Sequence, residues 1–222
     1  MKEKFKKIGK WILDSFIWLG VIIFVLDIVS KNVIVANRAN IENSISADGS
    51  QGIDVIPHFL RINYVINNKL VMGLDLGNDL ANRIVFCVLA LSIVTGVIIF
   101  LIKKWDKINR YYKACIMMVI AGAIGNVIDR IFYSPEYLGR AYNGVVDFID
   151  FYFWDAWKFN FNIADSSVVV AAFMLLIYMI VTETKDYIKS KKEEEPKKDE
   201  GKVLSKTEQE KAKLLTKKED DE

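Results

Sequence analysis

The chain has 222 residues, of which 52% are hydrophobic and 26% are charged, and its formal net charge is +2. So small a net charge gives no indication of nucleic-acid binding. One histidine and two cysteines provide neither a metal cluster nor a disulfide framework. The hydrophobic and charged residues lie in separate segments, and four apolar segments approach the roughly 20 residues that a membrane-spanning helix needs.

These segments predict an integral membrane protein, mainly α-helical, with four transmembrane helices at about 11–30, 83–103, 113–132 and 165–184. Together with their loops they form a membrane domain over 1–185. The remaining residues, 186–222, are dominated by Lys and Glu and cannot form a hydrophobic core. They are predicted to be a disordered or transiently helical tail.

The distribution of basic residues predicts the orientation of the spans. Lysine and arginine are concentrated in the N-terminal arm and in the connector 103–113. Because short basic segments remain on the cytoplasmic side, both termini and this connector are predicted to be cytoplasmic. Loops 31–82 and 133–164 then lie on the outer side of the membrane.

The first span contains an acid near its outer end. Asp27 lies about one turn inside that end, and Lys31 follows it at position i+4. A local ion pair on the helix accounts for the lysine. It does not explain an acid at this depth, where ionisable residues are costly and are usually functional.

The outer loop 31–82 is too long for a simple connection. Its first, polar part is predicted to be flexible. The β-branched and aromatic residues before Asn67 and Asn68 indicate short strands, and hence a small β-cradle outside the membrane. His58 follows a proline in this region and is predicted to be an exposed loop residue.

The third span ends in the sequence GNVIDR. Asn126, Asp129 and Arg130 stand at positions i, i+3 and i+4, so they are predicted to share one face at the outer end of the helix. A helix end with a snorkelling arginine accounts for Arg130, but less well for an amide and an acid beside it. Ala121 and Gly125 form a small-xxx-small pair, which permits close approach of another helix.

The segment 145–167 contains four carboxylates, at Asp147, Asp150, Asp155 and Asp165. The alternation in VVDFIDF predicts an extended segment, in which Asp147 and Asp150 point to opposite sides. Asp155 stands among aromatic residues typical of a membrane interface and is predicted to be solvated. Asn162 and Asp165 lie at the start of the fourth span, where an acid can simply cap a helix.

The sequence contains no nucleophile-elbow, zinc-peptidase, dinucleotide-binding or phosphate-loop motif, so no cofactor or metal is expected. What remains on the outer side is a set of acids and amides: Asp27, Asn126, Asp129, Asp147, Asn162 and Asp165. Two carboxylates in a partly dehydrated pocket can share a proton, activate water and protonate a leaving amine, as in an aspartic hydrolase. A proton-coupled transporter can use the same acids, and the residues alone leave both interpretations open.

The motifs VLDIVSK, GNVIDR, VVDFIDF and FNIADS, in this order on four spans, resemble those of the prolipoprotein signal peptidase, or signal peptidase II, family. The similarity covers roughly 11–185. It implies an aspartic endopeptidase of the bacterial inner membrane whose catalytic pair corresponds to Asp147 and Asp165. It also implies supporting or substrate-binding roles for six further residues: Asp27, Asn67, Asn126, Asp129, Arg130 and Asn162.

The resemblance further implies that the substrates are lipidated prolipoproteins, which are cleaved just before a diacylglyceryl-modified cysteine. Membrane lipid is expected as a partner, and a globomycin-type compound is expected to inhibit the enzyme. Two features depart from the family pattern. NKLVM follows Asn67 in place of a run of small residues, which leaves Asn68 as an alternative, and the segment 133–144 is longer than the usual link between the third span and VVDF.

Overall fold

A computed structural model of the protein describes residues 2–70, 74–132, 144–153 and 159–219. The chain divides into two compact units, Met1–Met174 and Leu175–Glu222. The helices are α1 (Lys2–Ser15), α2 (Ile17–Ala36), α3 (Arg38–Asn43), α4 (Asp79–Lys104), α5 (Arg110–Phe132) and α6 (Ile163–Glu219). The strands are β1 (Ile53–Ile56), β2 (Leu60–Asn67), β3 (Val145–Phe151) and β4 (Asn160–Phe161).

Four helical segments in the described residues are long and apolar enough to cross a membrane: Ile17–Ala36, Asp79–Lys104, Arg110–Phe132 and Ile163–Lys191. The predicted fold class, a mainly helical membrane protein with four spans and a small sheet, is therefore confirmed. The first span differs from the prediction of 11–30, because the chain breaks at Phe16, which has a left-handed φ of 56°. As a result, Lys31 lies within the spanning helix and does not flank it.

The first, polar part of the outer loop, 37–54, was predicted to be flexible, but it begins with a helix, α3, which follows α2 directly after Ala36 and Asn37. The reason is burial of apolar side chains on both helices. Ile34 and Ile41 lie in one hydrophobic cluster with Val146 and Phe148 of β3. Removing these side chains from water favours the helical conformation over a solvated loop.

The predicted short strands are present as an antiparallel sheet in the order β1-β2-β3-β4. Arg61 pairs with Asp150 and Asn67 pairs with Val145, so six residue steps along β2 match five along β3. This β-bulge matters because Arg61 and Asn67 would otherwise share a face of a regular strand. With the bulge, Asn67 lies on the face of Asp147, and Arg61 lies on the opposite face with Asp150.

Close contacts bring α2, α5 and α6 together beneath the sheet. A Cβ atom on Gly122 would lie 2.5 Å from the carbonyl oxygen of Ala164, and one on Gly125 would lie 2.7 Å from an Asp27 carboxylate oxygen. Neither position can accept a side chain without a shift of the neighbouring helix. The predicted close approach at Gly125 is thus observed, and Gly122 extends it by one helical turn.

Helix α6 begins directly after β4 and continues through the charged C-terminal region to Glu219. The region 186–222 was expected to be disordered or transiently helical, and its described residues are helical. Lys and Glu are good helix formers, so this conformation agrees with their intrinsic preference even without an apolar face.

Candidate active site

The site is built around the first turn of α6, where Asn162 and Asp165 cap the helix reciprocally. The Asn162 side-chain oxygen accepts a hydrogen bond from the Asp165 backbone N–H at 2.9 Å, and the Asn162 N–H faces an Asp165 carboxylate oxygen at 3.4 Å. This arrangement is a capping box. The capping residue is therefore Asn162, and Asp165 is one turn inside the helix with its other carboxylate oxygen directed elsewhere.

The cap fixes which way the Asn162 amide points. Because its oxygen is occupied by the helix N-terminus, its nitrogen must donate to groups on the other side. It donates to an Asp147 carboxylate oxygen at 2.7 Å and to the side-chain oxygen of Asn126 at 3.2 Å. One residue thus contacts both Asp147 on β3 and Asp165 on α6.

A second amide completes the connection between the two acids. The Asn126 nitrogen donates to the remaining oxygen of Asp165 at 2.7 Å. Asp147 receives a further donor from Asn67, whose amide nitrogen lies 3.0 Å from its second oxygen. Asn68, the alternative suggested by the sequence, donates instead to Asp79 in the first turn of α4 at 2.6 Å.

The two carboxylates differ in their exposure to solvent. Asp147 is only 1% exposed, whereas Asp165 is partly buried. Burial raises the pKa of Asp147 to about 7, and the charge of Asp165 acts in the same direction, while hydrogen bonds from Asn67 and Asn162 oppose the shift. Removing a carboxylate from water disfavours its charged form, and a second carboxylate nearby disfavours it further.

Lys31 forms a buried ionic centre next to this pair. Its ammonium group lies 2.7 Å from a carboxylate oxygen of Asp27 and 2.8 Å from one of Asp129, and all three side chains are at most 1% exposed. It also donates to the Asn126 oxygen at 3.3 Å. Lys31 therefore sets the orientation of the amide that holds Asp165.

Asp27 has a second role in the structure, which accounts for an acid at this depth. Its other carboxylate oxygen accepts a hydrogen bond from the Ala164 backbone N–H at 2.9 Å. A free N–H group in the first turn of α6 is thereby satisfied. Asp27 thus joins α2 to α6, and Lys31 joins α2 to α5.

Sequence reasoning missed Lys31 as a site residue, because a partner at i−4 on its own helix explained it fully. The available signal was a lysine in an otherwise apolar segment, with VIVA following it at 33–36. Once the span is known to extend to Ala36, a lysine five residues from its end requires a buried partner.

Arg130 stands on the same continuous helix as Asn126 and Asp129, but its partners are different. Its guanidinium donates to the Lys69 carbonyl oxygen at 2.5 Å and stacks 4.1 Å from the centre of the Phe86 ring. Its Nε and Nη1 are buried and have no hydrogen-bond partner among the described residues. Arg130 therefore links α5 to the chain that follows β2, and within the described part of the chain two of its buried donors have no acceptor.

The remaining acids of the 145–167 segment lie outside the network. Asp150 forms an ion pair with Arg61 at 2.7 Å on the opposite face of β3, which confirms that it does not point toward the partners of Asp147. Asp155 lies outside the described residues, as does 133–143, which is most of the long segment before VVDF. His58 is exposed in the turn between β1 and β2, as predicted.

The arrangement provides two carboxylates that share Asn162 as a hydrogen-bond partner, and one of them titrates near neutrality. Each carboxylate is held by amide N–H groups, which fix its oxygens in direction. Such a pair can hold one proton between two acids and can both accept and donate it during a reaction. This chemistry requires only the side chains described above.

Comparisons with known proteins agree on one family. The family model described as Signal peptidase (SPase) II matches residues 19–181. The lipoprotein signal peptidase of Haemophilus influenzae strain Rd is 30% identical over 173 residues, which cover 77% of this chain and 88% of that protein. The corresponding protein of Pasteurella multocida is 30% identical over 164 residues, which cover 73% and 87%.

A solved structure gives the same indication for the fold. It is described as a bacterial membrane enzyme, and it matches 78% of this chain and 88% of its own with a TM-score of 0.55 at 28% identity.

Proposed function

We propose that this chain, which belongs to the signal peptidase II family and acts as a lipoprotein signal peptidase, cleaves its substrates with Asp147 and Asp165 as the catalytic carboxylates. One observation carries the assignment. Asn162 contacts both acids, through its amide nitrogen to Asp147 and through its backbone N–H to Asp165. It therefore holds two carboxylates from different elements in one small volume.

The proposed mechanism uses one proton shared by the pair. The ionised carboxylate removes a proton from a water molecule as the water oxygen attacks the scissile carbonyl carbon. The protonated carboxyl then gives its proton to the leaving nitrogen as the C–N bond breaks. The pair again carries one proton when the products leave, and the pKa of Asp147 near 7 supports a pair that is half-neutralised at physiological pH.

The supporting residues form two groups. In one group the side-chain amide nitrogens all donate to protein oxygens, and in the other some N–H groups have no acceptor among the described residues. Both N–H groups on the Asn162 amide are directed at protein oxygens, so we assign Asn162 to the orientation of the acids, together with Asn67 and Asn126. Arg130 keeps buried donors at Nε and Nη1. These are suited to a substrate carbonyl oxygen, because a buried N–H group is costly without a partner.

We assign the substrates to prolipoproteins that carry a diacylglyceryl cysteine, with cleavage just before that residue. The membrane spans support this assignment, since α2 and α4 present many exposed apolar side chains along their length. The acyl chains of a lipidated precursor can contact these surfaces while the peptide reaches the acids. A globomycin-type compound is expected to compete for the same position.

The proposed orientation places the site at the outer face of the bacterial inner membrane. Asn126, Asp129 and Arg130 lie at the C-terminal end of α5, whereas the basic connector 103–113 precedes and enters its N-terminal end. A cytoplasmic connector therefore puts the acids on the opposite, outer side. Both termini are then cytoplasmic.

The alternative of a proton-coupled transporter is not supported, because the matching family model and the relatives are peptidases. The same acids could carry a proton in principle.

The test is cleavage of a lipidated precursor by purified protein in detergent or lipid. Asp147→Asn and Asp165→Asn each remove a proton-transfer group while keeping the shape of the side chain, and we expect each to lower kcat at least roughly a hundredfold. Asp150→Asn is the matched control on β3 and should retain activity. Cleavage at the wild-type rate by either of the first two variants contradicts the assignment. Inhibition by globomycin gives an independent check on the substrate position.

A further inference from the structure

Helix α1 is separated from the first membrane span by a sharp break. Phe16 has φ 56° and ψ 15°, and the Ser15 hydroxyl bonds to the Ile12 carbonyl oxygen at 2.8 Å just before it. A left-handed residue interrupts the helical hydrogen bonds and changes the direction of the chain. At 14 residues, and with lysines along most of its length, α1 is itself too short and too polar to span a membrane.

Over residues 6–12, the two sides of α1 have opposite character. Ile8 and Ile12 lie one turn apart on one side and are 47% and 41% exposed. Lys6 and Lys10 lie one turn apart on the other side, because each residue advances about 100° around a helix. Both lysines are exposed. An apolar stripe opposite a basic stripe, with neither covered by protein, is typical of a helix at a membrane interface.

The C-terminal end of α1 is fixed against the connector between α4 and α5. Asp14 forms an ion pair with Arg110 at 3.3 Å, and the Trp11 and Trp105 rings are 6.0 Å apart. The ammonium group of Lys113 lies 4.1 Å from the centre of the Trp105 ring. Tryptophan prefers the headgroup level of a bilayer, and two of them meet at this position.

The connector adds positive charge to the same surface. Lys103, Lys104 and Lys107 are exposed beside Trp105. With the lysines of α1 they form a basic and apolar surface that joins the ends of three helices, α1, α4 and α5. Its charge is complementary to phosphate groups, and its isoleucine side chains are complementary to acyl chains.

We propose that α1 binds the surface of the membrane through anionic lipid headgroups, with Ile8 and Ile12 inserted among the acyl chains and the lysines at the phosphate level. The proposal goes beyond cleavage of lipoproteins and does not rest on the catalytic role of Asp147 and Asp165. It gives α1 a lipid partner in addition to the substrate.

The experiment uses the full chain in vesicles and reads the environment of each side of α1. A nitroxide label is placed at Ile12→Cys or at Lys10→Cys in a chain with Cys87→Ser and Cys115→Ser. Collisions of the label with oxygen, which is concentrated in lipid, are compared with those of a water-soluble nickel complex. The vesicles contain phosphatidylcholine either alone or mixed with phosphatidylglycerol.

In vesicles that contain phosphatidylglycerol, we expect oxygen to reach position 12 preferentially and nickel to reach position 10. Each lysine near an anionic surface favours binding by about 1 kcal/mol, so Lys4→Gln, Lys6→Gln and Lys7→Gln together should reduce the ratio of docked to undocked α1 roughly a hundredfold. High salt and pure phosphatidylcholine should similarly reduce the contrast, which is the difference between positions 12 and 10 in their access to oxygen and to nickel. Lys202→Gln, Lys206→Gln and Lys211→Gln remove the same charge from α6 and should leave the contrast unchanged.

Three results would overturn the proposal. Equal access of nickel to both positions in anionic vesicles would show that α1 is in water. A contrast that is the same with and without phosphatidylglycerol would exclude a role for the headgroups. Shielding of position 12 from both reagents would indicate that a protein surface, including a second copy of this chain, covers the apolar side.

Discussion

Two positively charged side chains in this protein each bridge two aspartates, and their surroundings differ. Lys31 joins an acid on α2 to an acid on α5 between the spans, at distances of 2.7 and 2.8 Å. Arg61 on β2 joins Asp48 to Asp150 at 2.9 and 2.7 Å. The distances are nearly equal, but the Lys31 side chain is 0% exposed, whereas Arg61 is 11% and Asp48 is 33% exposed.

Burial changes what each ionic group does. Water can reach Asp48 beside Arg61, although the Asp150 side chain on the other side of Arg61 is only 6% exposed, so loss of Arg61 leaves one of its two acids solvated. No solvent reaches Lys31, so each of its acids depends on it for compensation of charge. Lys31 also orients Asn126, and through it Asp165, which connects the stability of the bundle to the geometry of the proposed catalytic pair.

Replacing Lys31 should have the largest effect on stability. Lys31→Met keeps the length of the side chain but leaves two buried carboxylates without a cation, and we expect a loss of about 3–5 kcal/mol in the free energy of unfolding. Denaturant or thermal unfolding of the purified protein in detergent measures this loss. The matched control is Arg61→Met. If Lys31→Met loses no more stability than this control, burial does not make the ionic group around Lys31 more important for stability.

The capping residue offers a way to separate structure from catalysis. Ser caps a helix about as well as Asn, so Asn162→Ser should keep the cap of α6. It removes the amide that donates to Asp147, however, and a hydrogen bond to a charged group is worth about 1.5–3 kcal/mol, which corresponds to a loss of about 10- to 100-fold in kcat/KM.

Asn162→Ala is the companion variant, because it loses both the cap and the amide. It should match Asn162→Ser in activity and be less stable by about 1 kcal/mol. Equal activity of wild type and Asn162→Ser would contradict the role assigned to the amide.

Asp147 in the proposed active site and Asp48 beside Arg61 should affect the protein in different pH ranges. The pKa of Asp147 is raised to about 7, so its proton is bound below that pH and lost as the pH rises through it. With the shared proton gone, kcat/KM should fall about tenfold per pH unit on the alkaline side. The contribution of Asp147 to stability should fall as the pH rises from about 4 to about 7, where the folded protein keeps this proton and the unfolded chain has lost it, and should not change above that range.

Asp48 differs from Asp147 in that its pKa is lowered, and the same pH titration can test both residues. Hydrogen bonds from Ser46 and Ser50 and the charge of Arg61 lower the pKa of Asp48 to about 2. Its contribution to stability is therefore present at neutral pH and lost only as the pH falls toward 2. Asp48→Asn should leave the alkaline limb of the activity profile in place, and a wild-type profile that stays flat across the neutral range would contradict a shared proton.

Much of this fold could be predicted from the sequence, because its main signals are local. Apolar length predicted the four spans, and alternation in VVDFIDF predicted both the strand and the opposite directions of Asp147 and Asp150. The residues alone left a hydrolase and a transporter open, and only the family resemblance predicted Asp147 and Asp165 as the catalytic pair. The structure adds that these two acids share Asn162.

The remaining features depend on contacts between distant segments. Lys31 and Asn126 are 95 residues apart, and nothing near Lys31 in the sequence indicates the second partner. The extra residue in β2 has no signature in the sequence, yet it decides that Asn67 shares the face of Asp147. Similarly, both Asn162 and Asp165 can cap a helix, and only the partners on β3 and α5 determine which of them does.

Replacing Arg61 should have the smallest effect. Arg61→Met removes the ion pairs with Asp48 and Asp150 and the stacking on Tyr152, where the guanidinium lies 4.6 Å from the ring centre. Water can solvate Asp48, but Asp150 is only 4% exposed and loses its cation, so we expect a loss of about 1–3 kcal/mol in the free energy of unfolding, below that of Lys31→Met, and no change in kcat. If activity falls together with stability, the sheet must transmit the position of Asp150 to Asp147 on the other face of β3. The two bridged pairs would then belong to one functional unit, and hydrogen exchange of the β3 amides in Arg61→Met would show the shared change directly.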